Sequence, residues 1–263
     1  MYNFNYQKAG SVADAVSALT EEDAQPLSGG QTLLPTLKQR LGQPSTLVDL
    51  SRIAEMQGIE VSPDSVTIKG AVRHVEVEHS IEVQRVFPAL ANLAGGIGDP
   101  QVRNRGTIGG SVANNDPSAC YPSACLGTGA TILTSSGDIA ADDFFQGMFS
   151  TALEEGQIVT GVRFPIPSQA NYQKFVQPAS RFALVGVFVA RYASGVRVAV
   201  TGASEGGVFR WTEAEQALSG NFSPDAVAGL SVSAEGMIGD IHGSPDYRAH
   251  LVAVMTKRAV AAA

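Results

Sequence analysis

The chain has 263 residues, of which 44% are hydrophobic and 16% are charged, and its formal net charge is −7. This negative balance, without any run of lysine or arginine, argues against a nucleic-acid-binding surface. The longest apolar run, residues 182–190, is too short to span a bilayer. The first residues lack the basic and apolar regions of a secretory signal, so we expect a cytoplasmic protein.

The cysteines and histidines do not form a recognisable metal or redox motif. Cys120 and Cys125 fit neither a Cys-x-x-Cys pair nor a four-cysteine cluster, so we expect two reduced thiols near a helix. No histidine pair has zinc-site spacing. His74 and His79 fall in a charged stretch that is typical of a surface. We therefore predict no metal site and no role for any histidine.

The first predicted unit covers residues 1–55 and has the order of a small βαβ unit. Its predicted elements are a strand over residues 2–6, a helix capped by Ser11, a strand ending at Leu27, a helix from Leu33 to near Gly42 and a buried strand at residues 47–50.

The second predicted unit covers residues 56–167, and the third covers residues 168–263. In the second unit we expect strands at residues 66–68, 130–133 and 157–164, a helix over residues 86–94, and a helix start at Asp116-Pro117. In the third unit we expect a hairpin of residues 182–191 and 196–201, helices over residues 211–218 and 224–230, and a final helix capped by Ser244.

Two glycine turns stand out along the chain. The first is Ser28-Gly29-Gly30-Gln31-Thr32, and the second is Arg105-Gly106-Thr107-Ile108-Gly109-Gly110-Ser111. Glycine lets an anion approach the backbone closely, and a turn that leads into a helix directs free N–H groups at one point. We predict that the two turns, about 80 residues apart, clamp the two phosphates of one pyrophosphate.

These turns are not those of a Gly-x-Gly-x-x-Gly dinucleotide fold. That fold also needs an acidic residue about 20 positions after its glycine turn. Asp49 lies near that distance, but it ends a strand whose preceding loop has a different glycine pattern.

Four segments together resemble the FAD-binding subunits of the molybdenum hydroxylases. These are SGGQTLLPTLKQRL from Ser28, RNRGTIGGSVANNDPSACYPSA from Arg103, YQKFVQPASRFALVG from Tyr172 and VRVAVTGAS from Val196. The family includes the medium subunit of carbon monoxide dehydrogenase and the flavin portion of the xanthine dehydrogenases. The likeness covers nearly the whole chain.

The resemblance implies an α+β fold, with a two-subdomain FAD-binding domain of the PCMH type and a smaller α+β C-terminal domain built on a three-stranded antiparallel sheet. It also implies noncovalent FAD and a heterotrimer, possibly doubled, with a large molybdopterin subunit and a small [2Fe–2S] subunit. Substrate is oxidised on the large subunit, and electrons pass through the clusters and FAD to an external acceptor.

The resemblance also implies which residues contact FAD. Matched by position, they are Leu27, Ser28, Gly29, Gly30, Gln31, Thr32, Leu33, Leu34, Ile97, Thr107, Ile108, Gly109, Gly110, Ser111, Ala113, Asn114, Asp116, Ala119, Cys120, Ile158, Val159 and Lys174. None of them is expected to be a catalytic residue.

The chain departs from the family pattern at two positions. Many members read Asp-Pro-Ala-Ala-Asp where this chain ends the motif with Cys120, so a thiol replaces the second acid. Many members carry a lysine where this chain has Val176, and Lys174 is the nearby substitute. No histidine occurs in either loop, which excludes histidyl attachment of the flavin there.

Two other functions are open from the sequence. One is a stand-alone FAD-dependent oxidoreductase of the wider FAD-linked oxidase type, which needs its own acid and base. The acidic pairs at residues 142–143 and 154–155 are more typical of solvated turns. The other is a non-catalytic partner-binding protein with a degenerate flavin site, suggested by Cys120 and Val176.

Overall fold

The first part of the chain forms a three-stranded parallel sheet in the computed structural model, which describes residues 1–263. Its elements are β1 Asn5–Lys8, α1 Val12–Ala18, β2 Ala24–Leu27, α2 Leu33–Lys38 and β3 Thr46–Asp49. The strand order β1-β3-β2 confirms the βαβ arrangement, since parallel neighbours need a crossover connection. Ser11 caps α1 as predicted, because its hydroxyl accepts a hydrogen bond from the Asp14 N–H at 3.0 Å.

Helix α2 is shorter than the sequence pattern predicts. It ends at Lys38, because Arg40 takes a left-handed conformation with a φ of 61°. Leu41, which the pattern placed on the apolar face, is therefore exposed.

The middle part of the chain builds a five-stranded antiparallel sheet with helices packed on it. Its elements are β4 Ile59–Val61, β5 Ser65–Lys69, α3 His74–His79, α4 Ile81–Val86, α5 Pro88–Gly95, α6 Pro100–Arg103, α7 Ile108–Asn114, α8 Tyr121–Thr128, β6 Thr131–Thr134, β7 Gly137–Ala140, α9 Ala141–Phe144, β8 Phe145–Gly147, β9 Ser150–Thr151 and β10 Val159–Pro165. The sheet order is β4-β5-β10-β6-β7, and β8 and β9 form a separate hairpin.

Asp116 does not cap a helix, and that prediction is wrong. Helix α8 begins five residues later, at Tyr121. The backbone between Asp116 and Tyr121 is held by the last part of the chain. The Pro117 carbonyl accepts hydrogen bonds from the Thr201 hydroxyl at 2.8 Å and from the Gly202 N–H at 2.7 Å. The Asp116 carboxylate instead accepts the Ser118 N–H at 2.8 Å, which closes a local turn.

The last part of the chain is a four-stranded antiparallel sheet with two helices. Its elements are β11 Gln169–Val176, β12 Ala183–Tyr192, β13 Gly195–Thr201, β14 Phe209–Arg210, α10 Thr212–Gly220 and α11 Pro245–Ala261. The hairpin and the helix capped by Ser244 are as predicted. The sheet has a fourth short strand, β14, rather than three strands. The helix predicted over residues 224–230 is only a 3₁₀ turn, Pro224–Val227.

This last sheet is buried on both faces, which explains the apolar run at residues 182–190. Successive side chains of a strand point to opposite faces. Phe188 and Ala190 therefore join the core of the middle part, while Val187 and Val189 join a second core with α10 and α11. A third core lies around the first sheet. The domain boundaries drawn from the sequence stay predictions. None of the helices combines the length and the apolar character that a membrane crossing requires.

Candidate functional site

The two glycine turns lie against each other. The Ser28 and Thr107 hydroxyls are 2.9 Å apart, in a hydrogen bond that spans 79 positions of sequence. A Cβ atom added to Gly29 would lie 2.7 Å from the Gly106 Cα and would also collide with the Arg105 carbonyl. Only a glycine allows this approach, so the glycine at position 29 is required for the two turns to meet.

The first turn presents free backbone donors. The N–H groups of residues 28–32 donate no hydrogen bond within the chain. Gly30 has a φ of 70°, and its carbonyl accepts the Leu34 N–H at 3.1 Å at the start of α2. Gln31 and Thr32 are exposed. Consecutive unpaired N–H groups in such a turn form a concave site for an anion.

The second turn is hydrogen-bonded to the rest of the protein on one side and is accessible on the other. Gly109 donates its N–H to the Gly70 carbonyl at 2.9 Å, and a Cβ atom at Gly109 would lie 2.6 Å from that oxygen. Thr107 caps α7 by accepting the Gly110 N–H at 3.2 Å. Gly110 is exposed and Ser111 is half-buried, so these two residues face outward at the start of α7.

His74 supports the second turn, which sequence reasoning missed. It is only 4% exposed, which corrects its expected place on the surface. Its backbone N–H donates to the Gly106 carbonyl at 3.0 Å, and its imidazole ring packs on the Tyr121 ring with 5.4 Å between the ring centroids. Burial, aided by the positive charge of Arg103, lowers the His74 pKa to about 4, so the ring is neutral at pH 7. The signal that could have revealed it is its position two residues after the buried segment Ala71–Val72.

Asn115 is a second residue that sequence reasoning did not single out. It ends α7 in a left-handed conformation with a φ of 43° and is 1% exposed. Its side-chain amide donates to the Gly147 carbonyl at 2.7 Å and to the Ser150 carbonyl at 2.8 Å. The paired asparagines at the end of a helical pattern are the available sequence signal, because asparagine tolerates this conformation.

Two residues predicted to contact FAD, Lys174 and Cys120, also meet in the structure. Lys174 donates from Nζ to the Gly96 carbonyl at 2.5 Å, directly before Ile97, and lies 3.7 Å from the Cys120 sulfur. Ala119 is next to Cys120, and its carbonyl accepts the Thr201 hydroxyl at 2.7 Å. The last sheet therefore contributes Lys174 and Thr201 to the surroundings of Ala119 and Cys120.

The predicted contact residues divide by exposure. Half-buried or exposed are Leu27, Ser28, Gly29, Gly30, Gln31, Thr32, Leu33, Leu34, Ile97, Gly110, Ser111, Ala113, Asn114, Asp116, Ala119 and Lys174. Buried are Thr107, Ile108, Gly109, Cys120, Ile158 and Val159. Ile158 and Val159 belong to two hydrophobic cores, at 3% and 4% exposure, so they have little surface with which to contact a ligand.

This arrangement suits a diphosphate. Free N–H groups of residues 28–32 lie beside the hydroxyls of Ser28 and Thr107, and the outward faces of Gly110 and Ser111 adjoin them. Backbone amides and hydroxyls bind phosphate oxygens without a base or a metal. The residues present therefore fit the diphosphate of a flavin nucleotide.

Comparison with known proteins agrees with this fit. The family described as the FAD binding domain in molybdopterin dehydrogenase matches residues 2–167. The chain is 34% identical to the nicotine 6-hydroxylase medium subunit of Paenarthrobacter nicotinovorans, over 97% of this chain and 95% of that one. It is 32% identical to the carbon monoxide dehydrogenase medium chain of Hydrogenophaga pseudoflava, over 99% of this chain and 96% of that one.

The fold agrees as well. The structure of quinoline 2-oxidoreductase from Pseudomonas putida 86 superposes with a TM-score of 0.89 at 29% identity, covering 100% of this chain and 97% of that one. These comparisons confirm the predictions of an α+β fold, of FAD as cofactor and of an oxidoreductase subunit. The chain belongs to the FAD-binding domain family of the molybdopterin dehydrogenases.

Proposed function

We propose that this chain is the FAD-binding subunit of a molybdenum-containing hydroxylase or dehydrogenase. Its relatives are the medium subunits of multi-subunit dehydrogenases and hydroxylases, which supports one large and one small partner subunit. Electrons from [2Fe–2S] clusters on the small subunit would reach an external acceptor through bound FAD, which supplies the redox chemistry. The substrate would be oxidised at molybdopterin on the large subunit. The cytoplasmic location stays a prediction.

The observation that carries this proposal is the contact between the two glycine turns. Because Ser28 and Thr107 bond to each other, both turns can reach one diphosphate at the same time. In this proposal the N–H groups of residues 28–32 bind one phosphate, and Thr107 with the start of α7 binds the other. In this proposal the flavin rings extend towards Ile97, Cys120 and Lys174.

The assignment of the remaining contacts follows from exposure. In this proposal Leu27, Leu33 and Leu34 contact the nucleotide beside the first turn, and Ala113, Asn114 and Ala119 contact it between α7 and Cys120. All six residues are half-buried. Ile108 and Gly109 act by fixing the second turn to the sheet, since both are buried.

The test is to purify the chain with the subunits that accompany it and compare the native complex with one that contains Gly29→Val. In the native complex we expect flavin, iron and molybdenum, and transfer of electrons from substrate to a dye acceptor. In the variant we expect substrate to reduce the clusters, seen by electron paramagnetic resonance, while electrons no longer reach the acceptor. Unchanged transfer in a flavin-free variant would refute the proposed route. Full turnover by the isolated chain would instead favour a stand-alone oxidoreductase.

A further inference from the structure

The contact between Lys174 and Cys120 has a feature that cofactor binding does not explain. The Lys174 ammonium group forms no ion pair with any carboxylate. It donates instead to the Gly96 carbonyl at 2.5 Å, to the Arg181 carbonyl at 3.0 Å and to the Cys120 sulfur at 3.7 Å. The two carbonyls fix the position of the nitrogen, so it is held against the sulfur.

The surroundings of Cys120 are polar on a second side. The Tyr172 hydroxyl lies close to the same sulfur and is shielded from solvent. Burial raises the pKa of Tyr172, and the neighbouring Cys120 adds to that effect. The sulfur therefore faces an ammonium group and an uncharged phenol. An amine held beside a cysteine sulfur is placed to attack that sulfur once the sulfur has been oxidised.

Cys125 provides an internal contrast. It lies one turn further along α8, is fully buried, and its pKa is raised by that burial. No lysine or arginine bonds to its sulfur. A buried thiol in apolar surroundings is chemically inert. Both sulfurs are buried, but only Cys120 has an ammonium nitrogen held against it, and the chain has no other cysteine.

We propose that Cys120 and Lys174 form a reversible sulfur–nitrogen bond when the protein meets hydrogen peroxide. In the first step the Cys120 thiolate attacks a peroxide oxygen and the O–O bond breaks. Sulfur is oxidised to a sulfenic acid, peroxide is reduced, and hydroxide leaves. The hydroxide takes a proton from the Lys174 ammonium group. The free amine then attacks the sulfenyl sulfur, the S–O bond breaks and water leaves, which forms a sulfenamide.

The bond would connect two parts of the chain that otherwise meet only through noncovalent contacts. Lys174 is in β11 of the last sheet, and Cys120 directly precedes α8 of the middle part. A cross-link here would join the last sheet to the loop that carries Ala119 and Cys120. The proposal does not depend on the proposed function, since it needs only the protein and added peroxide.

The test is peptide mass spectrometry of the full-length protein after treatment with hydrogen peroxide. We expect a peptide that joins Cys120 to Lys174, with the mass of the two peptides less two hydrogen atoms, and we expect dithiothreitol to reverse it. Cys125→Ser should leave the cross-link unchanged, and Cys120→Ser should abolish it. Lys174→Arg keeps the charge but removes the nucleophilic amine, so Cys120 should remain a sulfenic acid that dimedone labels.

The measurement on the unaltered protein is decisive even where a variant folds poorly. Absence of the joined peptide, with Cys120 either unmodified or labelled by dimedone as fully as in Lys174→Arg, would overturn the proposal. Oxidation of Cys125 in preference to Cys120 would also overturn it, because the thiol without a neighbouring amine would then be the reactive one.

Discussion

The Ser28 and Thr107 hydroxyls lie 2.9 Å apart and join two loops that are 79 positions apart in sequence. Thr107 also accepts the Gly110 N–H at 3.2 Å, which caps α7. One side chain thus fixes both the contact between the loops and the start of the helix. The free N–H groups of the first loop and the outward face of the second become parts of one surface.

Thr107→Ala should destabilise the protein and weaken FAD binding. Loss of a threonine N-cap costs about 1 kcal/mol, and loss of the bond to Ser28 adds about 0.5–1.5 kcal/mol. We expect the free energy of unfolding in urea to fall by about 2 kcal/mol. Thr107→Ser retains the hydroxyl and should lose much less. Equal losses in the two variants would mean that the hydroxyl is not the important group.

Gly29→Ala should impair FAD binding more than it impairs folding. The added methyl group would meet the backbone of Arg105 and Gly106, so the loops must separate. We expect the dissociation constant for FAD to rise at least ~10-fold, which is about 1.4 kcal/mol. Gly229→Ala is the matched control, because a Cβ atom there meets nothing within 4 Å. Titration by flavin fluorescence quenching compares them, and an unchanged constant for Gly29→Ala would contradict the site.

The stability of the protein should decrease in mild acid because of His74. Its pKa is about 4 in the folded protein, lowered from 6.5, so the unfolded chain binds the proton more readily between these values. The free energy of unfolding should therefore have its highest value from this group above pH 6.5. It should fall as the pH drops towards 4, by at most about 3 kcal/mol.

His74→Gln removes this titration and should flatten that part of the pH profile, measured by urea denaturation at several pH values. The variant is expected to be less stable at pH 7, because a flexible amide replaces the ring that packs on Tyr121. A slope equal to that of the unaltered protein would show that other groups cause the acid dependence.

Asn115→Ala should cost more stability than Asn115→Gly. Both substitutions remove the amide that donates to the Gly147 and Ser150 carbonyls, which costs about 1–3 kcal/mol. Only alanine adds strain, since the φ of 43° suits glycine and asparagine. Thermal or chemical denaturation should show that the glycine variant is more stable than the alanine variant. The reverse ranking would show that the left-handed backbone is not a constraint.

Local sequence signals predicted the elements whose determinants are local. Ser11 and Ser244 each precede a helix that they cap, and Ala193-Ser194 joins the two strands of the predicted hairpin. The glycine turns were recognisable because their residue types are needed for their backbone shape. Their contact across 79 positions was inferred from the two motifs together and from the resemblance.

Long-range contacts decided the elements that the sequence did not predict. The segment after Asp116 is not helical, because Thr201 and Gly202 hold its carbonyls from the last sheet. His74 is buried although Glu76, Glu78 and His79 surround it in sequence, because α3 turns only one face to the core. No local sequence pattern indicates which face of α3 is buried.

The most direct test of the central claim is amide hydrogen exchange of the protein with and without saturating FAD. The N–H groups of residues 28–32 have no acceptor within the chain, so they should exchange rapidly in the free protein. With FAD bound, we predict that these amides become protected together with that of Thr107, the one amide of residues 107–111 that donates no hydrogen bond within the chain. Unchanged rapid exchange of residues 28–32 under saturating FAD would contradict the claim that the two turns bind one diphosphate.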